Sequence, residues 1–128
     1  MRHILLDTDT CIEIIRGRPT SLESYAEASF SLSAITRFEL QSGVRKRNNR
    51  KLANRTASFL DSITCFPFDD AASEAAAKVR VELEAKGKKI GAYDTLIAGH
   101  CLALGNELTT GNVREFSRIE GLKIIPLR

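Results

Sequence analysis

The chain has 128 residues, a length that suits one domain with its own core and needs neither a disulfide framework nor a structural metal. Hydrophobic residues make up 43% and charged residues 27%, with a net charge of +3, a balance that excludes wholesale disorder and a fibrous repeat. No apolar run approaches the roughly 18 residues of a membrane span, and Cys11, Cys65 and Cys101 are too few and too scattered for a zinc ribbon. The expectation is a single cytoplasmic domain across 1–128 with reduced, mostly buried thiols.

His3 to Leu6 is a short apolar run ending at Asp7, as in a central strand buried on both faces. Asp7-Thr8-Asp9-Thr10 offers several N-caps for a short helix carrying Cys11, Ile12, Ile14 and Ile15, which stops by Gly17 and Pro19. Thr20 to Ser29 is expected to be a second helix and Phe30 to Ala34 a strand. From Ile35, a helical stripe of Ile35, Phe38, Glu39, Ser42 and Gly43 contains one acid. Leu52, Phe59, Leu60 and Ile63 mark another helix, then Cys65 to Phe68 a third strand that Pro67 confines to an edge or a strand end. Asp69 caps a long Ala-rich helix through Ala85. Ala92 to Leu104 is an apolar helix, Glu107 to Thr110 a fourth strand, Asn112 to Ile119 a short helix and Leu122 to Pro126 a last strand. This alternation predicts an α/β/α sandwich whose mainly parallel sheet has four to five strands. Ligands of such sheets gather beyond the carboxyl ends of the strands, so Asp7 and Asn112 should share that edge.

Three acids sit where an acid is locally awkward: Asp7 ends an apolar strand, Glu39 lies on an apolar stripe and Asp94 opens an apolar helix. Each has an ordinary explanation, since Asp7 can cap a helix, Asp94 suits a helix dipole and Glu39 can be a solvated side chain. Taken together they also suit a divalent cation, which relieves mutual repulsion, and oxygen-only ligands point to Mg²⁺ or Mn²⁺.

The stretches Leu5 to Asp9, Ser33 to Leu40, Ile90 to His100 and Thr109 to Phe116, closing with Gly121-Leu122, resemble in order and spacing the motifs of PIN-domain ribonucleases of the VapC toxin type. The resemblance runs from Met1 to about Ile124, and Ile90-Gly91-Ala92-Tyr93-Asp94-Thr95-Leu96-Ile97-Ala98 is its most telling segment. It implies that Asp7, Glu39 and Asp94 are the catalytic, metal-binding acids. A Mg²⁺ or Mn²⁺ on Asp7 and Asp94, with Glu39 shared or reached through water, would hydrolyse RNA to 5′-phosphate and 3′-hydroxyl ends. Thr110 would orient Asp7 or a water. Asn112 stands where the family often has a fourth acid, and Asp9 where it usually has Asn; Asp9 either adds negative charge to the site or replaces Asn as a cap, the reading preferred here. The resemblance further implies a small VapB-like antitoxin that covers the acidic site, a homodimer, a toxin–antitoxin hetero-oligomer, and an RNA substrate such as tRNA.

The first half of the chain carries the basic excess, ten Lys/Arg against seven Asp/Glu, through Arg45, Lys46, Arg47, Arg50, Lys51 and Arg55. That run suits either an RNA backbone or an ordinary solvated corner, while Lys86, Lys88, Lys89 and Arg114 lie closer in sequence to the acids. His3 and His100 are expected to be structural, and Ile14, Ile15, Phe38, Phe59 and Leu60 to be mainly core. Two other readings compete: a PIN-like module that binds without cutting, and a phosphoacceptor receiver domain with Asp69-Asp70 as acceptor, which lacks the expected Lys at Thr109-Thr110-Gly111.

Overall fold

A computed structural model describes all 128 residues. The strands are β1 (His3–Leu6), β2 (Ser29–Ser33), β3 (Thr64–Phe66), β4 (Glu107–Thr110) and β5 (Ile124–Pro126). The helices are α1 (Thr8–Ile15), α2 (Ala34–Lys46), α3 (Arg50–Ser62), α4 (Asp70–Ala85), α5 (Ala92–Leu104) and α6 (Val113–Phe116). All five strands are parallel, in the order β3-β2-β1-β4-β5.

The pleat of β1 builds the two cores. Ile4 and Leu6 face one layer with Cys11, Ile15, Leu22, Leu32, Leu40 and Leu60, under α1, α2 and α3. Leu5 faces the other, with Val79, Leu83, Ile97, Cys101, Leu108 and Phe116, under α4 and α5. Each fully buried Leu or Ile of this kind contributes roughly 1.5–3 kcal/mol, so a strand of three such residues anchors both layers. Sheet order reverses at β1, with β2 on one side and β4 on the other, which opens a crevice beyond the carboxyl ends of β1 and β4.

Five expectations need correction. The helix expected over 20–29 is a single 3₁₀ helix, Ser21–Tyr25, capped by Thr20 through the Leu22 N–H. It is short because the chain must straighten by Ser29, whose N–H pairs with the Arg2 carbonyl at the start of the β1–β2 ladder. β3 ends at Phe66, since Pro67 has no N–H to extend the ladder, and β3 is an edge strand. α6 stops at Phe116, well before Ile119, and β5 starts at Ile124. Phe38 is half exposed instead of core.

α4 and α5 make the closest helix contact. Ala72, Ala76, Val79 and Leu83 form the buried stripe of α4, and Gly99 of α5 lies directly on the Ala76 backbone, where an added Cβ would collide. Gly99→Ala is therefore expected to cost about 1–3 kcal/mol, read as a lower midpoint in urea unfolding, because the obstructing atoms are backbone and cannot swing aside.

Candidate acidic site

Asp7 leaves β1 at the crevice and is 2% exposed. One carboxylate oxygen, Oδ1, accepts the Thr10 N–H at 2.8 Å, which makes Asp7 the N-cap of α1. The Thr110 hydroxyl at the end of β4 faces the same carboxylate and lowers its pKa. The joint is riveted to β4 again by the Asp7 N–H and the Thr10 hydroxyl, which both donate to the Thr109 carbonyl, at 3.1 and 3.0 Å. Burial nonetheless outweighs these donors and holds the Asp7 carboxyl above its ordinary range.

Glu39 lies in the second turn of α2, which starts where β2 ends. The Thr8 hydroxyl donates to Glu39 Oε1 at 2.6 Å and so ties α1 to α2. Asp94 sits in the first turn of α5, whose N-cap is Gly91 with no side-chain cap. The helix dipole favours a negative charge there, yet the Asp94 carboxyl is pushed up to about 6. Burial is the main cause, followed by the charges of Asp7, Glu39, Asp9 and Glu115. No cation offsets them: the chain's four ion pairs engage Glu107, Glu13 and Glu84 instead.

The structure thus brings Asp7, Glu39 and Asp94 to one crevice, with Thr110 beneath Asp7. Asp9 is not the cap of α1, since Asp7 takes that role. It is exposed in the first turn, and its charge raises both Asp7 and Asp94. The Asn112 N–H donates to Thr110 Oγ1 at 2.9 Å, and its side-chain amide donates to Glu115. Sequence reasoning missed Glu115 and Thr8. Glu115 stands three residues after Asn112, one turn of α6 away, and that spacing was the available signal for a further acid at this edge.

Asp7 and Glu39 are near enough for their charges to raise Asp94, yet no three of the chain's His, Cys, Asp and Glu side chains stand close enough to ligate one ion together. Like charges in a half-buried crevice repel, and Thr8, Thr10 and Thr110 hold Glu39 and Asp7 in place. The expectation of an ion on Asp7 and Asp94, with Glu39 shared or reached through water, does not require three carboxylates to meet at one point. The donor chemistry still fits Mg²⁺ or Mn²⁺, because Mg²⁺ keeps several of its waters and takes only one or two carboxylates directly.

Arg45, Lys46 and Arg47 close α2, while Arg50 and Lys51 open α3, so the basic run forms a corner about two turns beyond Glu39. None of these five residues is in an ion pair. Arg47 also lines an apolar groove between α1, α2 and α3 that includes Glu39. Arg114 is exposed on α6. His100 is buried, with Nδ1 hydrogen-bonded to the Ser33 hydroxyl oxygen at 2.7 Å and its ring edge-on to Phe68, and burial lowers its pKa. Burial likewise pushes the Cys101 thiol up to about 12 and raises Cys11, which removes both as nucleophiles at neutral pH.

The PIN domain family matches residues 4–122. This chain belongs to that family. Its relatives are VapC proteins: it is 35% identical to the tRNA(fMet)-specific endonuclease VapC of Salmonella typhimurium, with 97% of each chain covered. It is 33% identical to ribonuclease VapC2 of Rickettsia felis, over 92% of each. The crystal structure of VapBC2 from Rickettsia felis bound to a promoter DNA fragment superposes with a TM-score of 0.90 at 30% identity, covering 98% of this chain and 99% of that one. DNA-bound VapBC from Salmonella typhimurium gives 0.84 at 31%, covering 98% of both chains. The receiver reading fails on topology: β3 is an edge strand two places from β1, and Asp69 is occupied in capping α4 through the Ala72 N–H.

The folded chain holds the Asp94 proton up to about pH 6, whereas the unfolded chain releases it near 3.8, so ionised Asp94 destabilises the fold increasingly across that interval and fully above it. Asp94→Asn in EDTA at pH 7.5 is therefore expected to raise Tm by a few degrees. That corresponds to about 1 kcal/mol once solvent screening of a half-exposed group is counted, and the gain should vanish toward pH 4.

Proposed function

We propose that this PIN domain, spanning 1–128, is a divalent-cation-dependent endoribonuclease and the toxin half of a cytoplasmic toxin–antitoxin pair. The observation that carries the reading is the convergence of Asp7, Glu39 and Asp94 at the switch point of a parallel sheet, with Asp94 shifted by the charges of the others. Membership of the PIN family and the ribonuclease names of its VapC relatives support it. No helix is long and apolar enough to cross a membrane.

Asp7 and Asp94 would hold the Mg²⁺ or Mn²⁺, with Glu39 within reach. When bound, the ion supplies positive charge for the scissile phosphodiester and acidifies water at the site. The chain's own groups do the positioning. Thr10 and Thr110 fix the Asp7 carboxylate, and Thr8 fixes Glu39 against α1. Without a cation, burial and the neighbouring acids hold the Asp94 carboxyl up to about 6, and a bound cation would favour its ionised form. In-line attack by water leaves 5′-phosphate and 3′-hydroxyl ends and needs no Ser or Cys nucleophile. Asn112 removes one charge from the usual set, and Glu115 restores a carboxylate beside it, which weakens the reading of a binding-only module.

The substrate class that the Salmonella relative's name favours is tRNA. The partner is a VapB-like antitoxin whose apolar segment lies in the groove of Ile12, Ile15, Leu40, Val44 and Leu52 and covers Glu39, in keeping with the VapBC complexes that this fold matches. Arg16 and Arg47 line that groove too and suit a partner segment carrying carboxylates. A homodimer within a toxin–antitoxin hetero-oligomer completes the proposal, and the basic corner Arg45 to Lys51 and Arg114 are assigned to the RNA backbone.

End-labelled tRNA and ribosomal RNA incubated with the purified protein should give discrete products with Mg²⁺ or Mn²⁺, none with EDTA, and none with Asp94→Asn. Cleavage by Asp94→Asn equal to wild type, or no cleavage by folded wild type across that panel, would overturn the reading. Thr8→Val should leave the fold intact and reduce the cleavage rate roughly 10- to 100-fold, because Glu39 loses the donor that orients it.

A further inference from the structure

The chain has six Phe and two Tyr, and all but two of these rings are buried or half-buried in the packed layers. The two left exposed are Phe38, at 50%, and Tyr93, at 47%. They touch each other, with ring centroids 5.6 Å apart and planes tilted by 52°. Each immediately precedes an acid of the site, Glu39 on α2 and Asp94 on α5. The other large apolar side chains in water, Met1, Val81 and Val113, are single aliphatics with no such grouping. Two rings kept wet at the rim of a charged crevice are costly unless something covers them.

The neighbouring acids indicate what does. Phe38 and Tyr93 adjoin Glu39 and Asp94, which the endoribonuclease reading sets against an RNA phosphodiester, so two rings in contact there suit the planar base beside it. The exposed halves of two rings amount to on the order of 200 Å², far short of the roughly 800 Å² per partner of a stable protein interface. Resting on the endoribonuclease reading, we propose that Phe38 and Tyr93 form a stacking platform for one unpaired RNA base adjoining the scissile phosphodiester. Stacking accepts any base, since every base has a π-face, so the platform selects for an unpaired nucleotide and leaves sequence preference to other contacts.

The test uses the Asp94→Asn chain, which leaves RNA uncut, and a short single-stranded RNA with 2-aminopurine in place of adenine. Binding should quench the 2-aminopurine fluorescence. Adding Phe38→Leu and Tyr93→Leu should abolish the quench and weaken binding roughly tenfold, while Phe38→Tyr and Tyr93→Phe should retain both, with circular dichroism confirming that each variant is folded. An undiminished quench and affinity in the Leu pair would overturn the platform, as would absence of quenching in Asp94→Asn itself. A change from dimer to monomer on Leu substitution, seen by light scattering, would assign the rings to a subunit contact and overturn it too. A wild-type chain that quenches but cuts nothing with Mg²⁺ or Mn²⁺ supports the platform while removing the nuclease reading.

Discussion

The arrangement at the carboxyl edge of the sheet depends on keeping the Asp7 carboxylate out of water. A carboxylate that is 2% exposed with no basic partner is costly, and the chain spends two groups on it: the Thr10 N–H, through which it caps α1, and the Thr110 hydroxyl. These donors do not make Asp7 comfortable, since its carboxyl still sits above the ordinary range. They fix where it is. The Asp7 N–H and Thr10 hydroxyl converge on the Thr109 carbonyl, so the acid and the end of β4 move as one body.

From that fixed point the other acids are placed by topology. β1 is central, β2 and β4 flank it, and the helices leaving β2 and entering before β4 bring Glu39 and Asp94 over the same crevice. The result is an excess of negative charge that the protein alone does not neutralise, and Asp94, the least tethered of the three, shows it most, at about 6. A bound cation would relieve this imbalance. Threonine hydroxyls keep two of the acids in position before any ligand arrives. The exposed rings of Phe38 and Tyr93 stand at the rim of the same feature, so charge recognition and base recognition lie side by side.

Much of the fold was legible because its signals are local. Ala92–Leu104 and Glu107–Thr110 are bounded by Gly91, Gly105 and Gly111, and α4 by Asp69, all strong punctuation at the level of single residues. The errors fell where a neighbour overrode local preference. Residues 20–29 have the composition of a helix, but Ser29 is claimed by the ladder beside Arg2, and only one 3₁₀ helix fits before it. Phe38 looks like core on its helical stripe, but α2 and α5 meet at a rim there and the ring finds Tyr93 instead of the interior. Asp9 looks like a cap because it is one of several candidates, and the choice of Asp7 rests on which carboxylate reaches the Thr10 N–H.

Alone, the sequence determined the alternation of strands and helices and which acids end strands or open helices, since these follow from side-chain periodicity and capping chemistry along the chain. It also carried the serial motifs of the PIN family. Only the tertiary structure decided that the charge of Glu115 reaches Asp94, that Thr8 holds Glu39, and that two aromatic rings remain in water beside the acids. Each of those facts joins groups from separate elements, through Coulomb forces and hydrogen bonds that depend on distance in space. Spacing along the chain does not specify that distance; the crossing of helices over a twisted parallel sheet does.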